Sequence, residues 1–237
     1  MTQTATLLQQ ETVSGKRFLA AIASAIVAAC VIGGTSYAAF GFVSQSVRAQ
    51  AVTFLVYATL TATLCLFFRP ANQPPISLRF TGAKALAASI GIFVATVVVV
   101  VLFYYCLGSI FGSVPSVARQ IVSFATDVGR LKGQPTAAWI IAIPRGCLLV
   151  PVFEEVFFRG LLLGWLRKHM REDLAVVAMS ALFALEHGSF ILAPYALMFG
   201  ISLGYVRLRT HSTLNTAVMH SLHNVMLLTL GLRTLHV

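Results

Sequence analysis

The chain has 237 residues, of which 58% are hydrophobic and 10% charged, and its mean hydropathy is +0.86. A soluble domain carries about 25% charged residues, so this composition excludes an ordinary soluble globule and predicts a polytopic membrane protein. The formal charge of +10 arises from 17 Lys and Arg against 7 Asp and Glu. These basic residues lie largely between apolar runs, where they face anionic headgroups, so membrane lipids are expected partners and nucleic acid is not.

Residues 1–15 are polar and read as a loose tail before the interfacial pair Lys16-Arg17. The apolar run 18–29 has the look of a secretory signal, but it continues to about 42, long enough to remain as a first transmembrane helix. Gly33-Gly34 within it permits close helix contact. Arg48 and Gln50 are expected to separate it from a second span at 51–68, which Arg69-Pro70 stops; Pro74-Pro75 shapes the next loop. A third span is expected at 85–107. The connection 109–136 leans polar, and 117–128 reads as an amphipathic surface helix. Cys30, Cys65, Cys106 and Cys147 sit far apart in apolar runs and read as small hydrophobic residues.

From 137 to 166 the sequence is apolar, too long for one untilted crossing, and Pro144 and Pro151 predict a kinked or broken helix. Broken backbone is tolerated within a membrane only where protein or water satisfies it, which places an internal cavity here. Arg167, Lys168 and Arg171 follow, with Asp173 as the expected N-cap of a helix over 174–185. Further spans are expected at 190–206 and 214–232. The fold class is therefore all-α: a polytopic integral-membrane helical bundle with seven or eight transmembrane segments and a broken helix near a polar site. With the amino terminus cytoplasmic, the seven-span count places ten basic residues inside (Lys16, Arg17, Arg69, Arg79, Lys84, Arg167, Lys168, Arg171, Arg207 and Arg209) against five outside. The expected division is a cytoplasmic tail at 1–17, transmembrane helices with a connecting loop at 18–136, a transmembrane core at 137–232 and a tail at 233–237.

Within that core, Glu154-Glu155-Val156-Phe157-Phe158-Arg159 puts three ionisable groups into a hydrocarbon-like segment, at a cost of several kcal/mol unless they are paired. On a helix, Glu155 and Arg159 share a face in the favourable acid-before-base order. Glu154 points about 100° away and remains available as a general base; a purely structural ion network is the competing reading. His187, His220 and Asn224 lie on two further expected helices. Imidazole exchanges protons near neutrality and an amide donates to a developing oxyanion, so the set suits attack of water on a carbonyl. His223 and Glu186 read as structural or supporting, and His169, His211 and His236 lie near loops or the terminus. Glu154, His187 and His220 could also meet as a His-His-Glu zinc site, although no H-E-x-x-H helix or close Cys pair is present.

Glu154-Glu155-x-x-x-Arg159, Phe183-x-x-x-His187 and His220-x-x-x-Asn224 occur in this order, each on an expected helix. In that combination residues 137–230 resemble the CAAX prenyl protease and bacteriocin-processing (CPBP) family of intramembrane proteases, in particular its CAAX prenyl protease 2-like members. The resemblance implies an intramembrane endopeptidase acting on a membrane-associated protein or peptide. Glu154 and His187 would activate water, His220 and Asn224 would orient or stabilise the attacked carbonyl, and Glu155 and Arg159 would support the site. Eukaryotic members remove three terminal residues after a prenylated cysteine, whereas nothing in these residues reads a prenyl group. The family is described both as metalloproteases and as glutamate-dependent proteases, so no cofactor is required and a divalent metal such as zinc remains compatible. The implied location is a bacterial cytoplasmic membrane, multi-pass, with the amino terminus cytoplasmic. Two rivals use the same residues: a non-catalytic peptide-binding, bacteriocin-immunity or scaffold protein, and an ion-coupled transporter.

Overall fold

A computed structural model describes residues 13–68, 76–79, 81–111, 131–188, 190 and 192–234. The described residues contain no strand and form seven helices: α1 (Gly15–Ala39), α2 (Gln45–Phe68), α3 (Ala83–Phe111), α4 (Thr136–Leu166), α5 (Glu172–Glu186), α6 (Ala193–Thr210) and α7 (Thr213–Thr234). Four of them, α1, α2, the α3 stretch Ala83–Cys106 and α4, are long and apolar enough to cross a membrane. Large apolar side chains such as Leu19, Val98, Ile140 and Leu185 point outward, as a lipid-facing surface requires. The expected surface helix at 117–128 and the Pro74-Pro75 loop fall outside the described residues.

The first turn differs from expectation. Arg48 and Gln50 lie inside α2 and do not separate two spans, because the chain reverses earlier, between Ala39 and Gln45. Arg48 accommodates this by donating from Nη2 to Gly41 O at 2.7 Å and stacking over Tyr37 at 5.1 Å, so its charge reaches the helix end. At Gly33, α1 approaches α2 closely: a Cβ there would lie 3.2 Å from Val56 Cγ2, whereas Gly34 faces open space.

The expected break in α4 is also corrected. The helix runs unbroken through both prolines, and its hydrogen-bond ladder changes to π register at Arg145–Leu149 and again at Glu155–Leu162. In the first of these, the Val150 N–H bonds Arg145 O, five residues back. Proline has no N–H and clashes with the carbonyl four residues before it, and an inserted residue relieves both problems locally without breaking the helix. One carbonyl is left over. Gly146 O loses Val150 as donor, and its π-register donor would be Pro151, which has none.

Asp173 does not cap α5; Arg171 holds that position, and Glu172 and Asp173 occupy the first turn, where the helix dipole favours them. The α5–α6 contact is close because Gly200 and Gly204 stand four apart on α6. Cβ atoms added there would lie 3.0 Å from Ser180 Cβ and 2.8 Å from Val176 Cγ1. His211, in the left-handed conformation with φ 52°, ends α6, and the following Ser212 caps α7 by accepting from Asn215 N at 3.1 Å. The segment before α3 ties down that same end: Ser77 O receives Thr213 N at 2.8 Å and Arg79 O receives Ser212 Oγ at 2.7 Å. These contacts fix the start of the helix that carries His220 and Asn224.

Candidate active site

The middle of α4 packs against α7, with α5 and α6 beside them, so the three sequence patterns meet. Glu155 and Arg159 are completely buried side chains, and Arg159 Nη1 bonds Glu155 Oε1 at 2.8 Å. The guanidinium is held on two further sides, by Gly200 O at 3.4 Å and by the Phe183 ring at 4.4 Å. Glu155 Oε1 also accepts from His220 Nδ1 at 2.8 Å. That last contact was not legible in the sequence, where His220 pairs only with Asn224. It makes Glu155 one of the joints between α4 and α7, while its Oε2 is buried with no hydrogen-bond partner among the described residues.

Glu154 behaves differently from its neighbour. It lines a cavity of about 200 Å³ whose wall also includes His187, His220, His223 and Asn224, with Phe183, Phe199 and Tyr195 supplying aromatic surface. His220 bridges the two glutamates: Nδ1 is bonded to Glu155, and Nε2 stands 3.7 Å from Glu154 Oε2, beyond direct hydrogen-bond range. His187 donates from Nδ1 to Phe183 O at 2.8 Å, the i−4 carbonyl of its own helix, so its Nε2 is the acceptor nitrogen. The Phe183-x-x-x-His187 spacing therefore has a physical meaning here. Phe183 braces Arg159 with its ring and His187 with its carbonyl.

Asn224 is engaged on both sides of its amide. Nδ2 donates to Gly146 O at 2.9 Å, the carbonyl that the π register and Pro151 leave without a backbone donor. Oδ1 lies 3.3 Å from His223 Nδ1, and the other nitrogen of that ring, Nε2, is bonded to Tyr195 Oη.

Every expected site residue, Glu154, His187, His220 and Asn224 together with Glu155 and Arg159, is thus brought to one place. His169 packs against Trp165, its ring tilted, away from the cavity, and Glu186 is not part of its wall. Tyr195, Gly146 and Arg145 also line the cavity and were missed. In sequence Tyr195 resembles any aromatic at the start of an apolar helix, and Gly146 carries no signal without knowledge of the π turn. Among the described residues no group of three His, Cys, Asp or Glu side chains converges as a metal-ligand set, and Glu154, His187 and His220 do not form one in this arrangement.

Residues 136–226 match the family model described as Rce1-like, type II CAAX prenyl endopeptidase Rce1-like. Neither a curated protein nor a solved structure matches the chain. The matched segment runs from the first residue of α4 into α7 past Asn224, so it contains all the cavity-lining polar groups above.

Proposed function

We propose, from the match of residues 136–226 to the Rce1-like type II CAAX prenyl endopeptidase model, that this chain is a member of the CAAX prenyl protease and bacteriocin-processing family and hydrolyses a peptide bond of a membrane-associated protein or peptide, with water activated by Glu154. The observation that carries the reading is the division between adjacent carboxylates. Glu155 is consumed by Arg159 and His220, whereas Glu154 faces the cavity with His187 and His220 beside it.

In this scheme a water in the cavity gives its proton to Glu154 as its oxygen attacks the scissile carbonyl carbon. His187, with Nδ1–H fixed on Phe183 O, presents Nε2 to hold that water. The carbonyl oxygen gains negative charge in the tetrahedral intermediate, and the second N–H of Asn224 would donate to it, joined by His220 Nε2–H with that ring held as an imidazolium by Glu155 at Nδ1. Collapse breaks the C–N bond, and the proton held by Glu154 passes to the departing amine. Arg159 and Glu155 hold His220 in place and take no part in proton transfer. The polar cavity is bounded by Leu227, Leu192 and Val150, which suits a substrate arriving from the membrane. The same reading places the chain in a bacterial cytoplasmic membrane with its amino terminus inside. α4 counts as a single crossing, and α5, α6 and α7 complete seven.

The test is cleavage of a membrane-presented peptide library, prenylated and unprenylated, by detergent-purified parent and Glu154→Ala proteins, with product masses read with and without a chelator. Products from the parent alone support the reading, and their ends define the substrate. Loss on chelation would transfer water activation to a metal. No product from a monodisperse parent would overturn the protease reading in favour of peptide binding or transport.

A further inference from the structure

His223 is a buried imidazole that the proposed reaction does not use, and its surroundings fix it tightly. The ring stacks on Phe199 with centroids 4.3 Å apart, meets Phe93 edge-on at 5.7 Å, and lies 5.5 Å from the Tyr195 ring. Its hydrogen bonds have a forced direction. Asn224 Oδ1 is an acceptor only, so Nδ1 must carry the proton and donate to it; a neutral ring then accepts at Nε2 a hydrogen bond donated by the Tyr195 hydroxyl. At the far end, Gly146 O is likewise an acceptor only and receives Asn224 Nδ2 at 2.9 Å. The result is a one-way chain from Tyr195 through His223 and Asn224 to Gly146, joining α6, α7 and the π turn of α4.

We propose that Tyr195 and His223 are positioning residues for the hydrolysis: they lock the Asn224 amide so that one N–H is anchored on Gly146 O and the other faces the scissile carbonyl. A rotated amide would set its oxygen against Gly146 O and against the attacked carbonyl oxygen, so the wrong orientation fails twice. Without His223 the only fixed bond is the one to Gly146, which leaves the amide free to pivot about it. The role of Asn224 as the carbonyl's donor rests on the proposed function above. The locking geometry rests on the hydrogen bonds alone.

The experiment measures kcat and KM on a peptide that the parent cleaves in the library above, for Asn224→Ala, Tyr195→Phe, His223→Phe, His223→Asn and the double variant His223→Phe/Asn224→Ala. Loss of a preorganised oxyanion donor costs about 10²–10³ in kcat, and Asn224→Ala is expected to fall in that range. His223→Phe preserves the stacking on Phe199 and is expected to lower kcat by about tenfold or more with KM little changed. Tyr195→Phe is expected to lower it severalfold, and His223→Asn, whose amide can replace the Nδ1 donor, to recover part of the loss. The double variant should be no slower than Asn224→Ala, because the two residues act through one donor; multiplied losses would mean that His223 is merely structural and would overturn the proposal. An unchanged kcat in Asn224→Ala removes the donor role, and the positioning role with it. A slowed Asn224→Ala beside an unchanged Tyr195→Phe and His223→Phe removes the positioning role alone. Should His223→Phe not fold, Tyr195→Phe, which deletes a single oxygen, carries the decision. Nitrogen-15 spectra of labelled parent protein in detergent supply a readout without turnover: the proton of His223 is expected on Nδ1, and finding it on Nε2 would overturn the chain's direction.

Discussion

The first three helices and the last four hold their polar groups in opposite ways. In α1–α3 the hydroxyls mostly turn back onto their own helix, as Thr53 does to Ala49 O and Thr61 to Tyr57 O, and few side chains are buried. In α4–α7 the hydroxyls of Ser180, Thr210 and Thr229 also turn back, but the charged, imidazole and amide groups reach across helices: Arg159 to Gly200 O, His220 to Glu155, Asn224 to Gly146 O. A side chain that bonds its own ladder needs no neighbour, whereas a charge buried between helices is stable only while every partner stays in place. The amino-terminal helices therefore serve as scaffold, supplying Tyr57 against Phe153 and Phe93 against Phe199, and the carboxy-terminal helices form a site whose polar groups depend on one another.

Substitutions should follow that contrast. Glu154→Gln keeps shape while removing the base, and kcat is expected to fall by about 10²–10⁴-fold with thermal stability nearly unchanged, measured by peptide cleavage and thermal unfolding in detergent. Arg159→Met does the reverse. It strands the fully buried Glu155 charge and is expected to cost about 3–5 kcal/mol in denaturant unfolding, with activity lost as a consequence. An Arg159→Met protein as stable as the parent would break the distinction between the two regions.

Gly204→Ala drives a Cβ to 2.8 Å from Val176 Cγ1 and is expected to cost about 1–3 kcal/mol through forced separation of α5 and α6, read in the same unfolding experiment. The smallest effect belongs to the scaffold. Thr96 Oγ1 lies 2.6 Å from Ser202 Oγ, the hydrogen bond by which α3 holds α6, and Thr96→Val is expected to cost about 0.6 kcal/mol with kcat unchanged. A large fall in kcat there would show that the amino-terminal helices shape the chemistry as well as hold it.

The sequence reading reached the parts of this site that depend on period. Glu155 and Arg159 pair because residues four apart share a helical face, and Glu154 separates from Glu155 because adjacent residues do not. The approximate helix positions followed from apolar run length. What lay beyond it was register and partner choice. Proline predicted a kink or a break where the helix absorbs Pro151 by a π turn, and only that turn explains why Gly146 O needs Asn224. Arg48 read as a loop residue because its charge was judged at its Cα, while the side chain carries it to Gly41 O at the helix end. Tyr195 was invisible because its hydrogen-bond partner, His223, stands 28 positions away on another helix.

The most direct measurement is a single turnover of the membrane-presented peptide in oxygen-18 water, comparing parent with Glu154→Gln and reading the masses of product and enzyme. General-base activation at Glu154 puts one solvent oxygen into the new carboxylate of the product, leaves Glu154 unlabelled, and gives almost no product from the Gln variant. Cleavage by Glu154→Gln at the parent's rate, or label appearing in Glu154 itself, would contradict it.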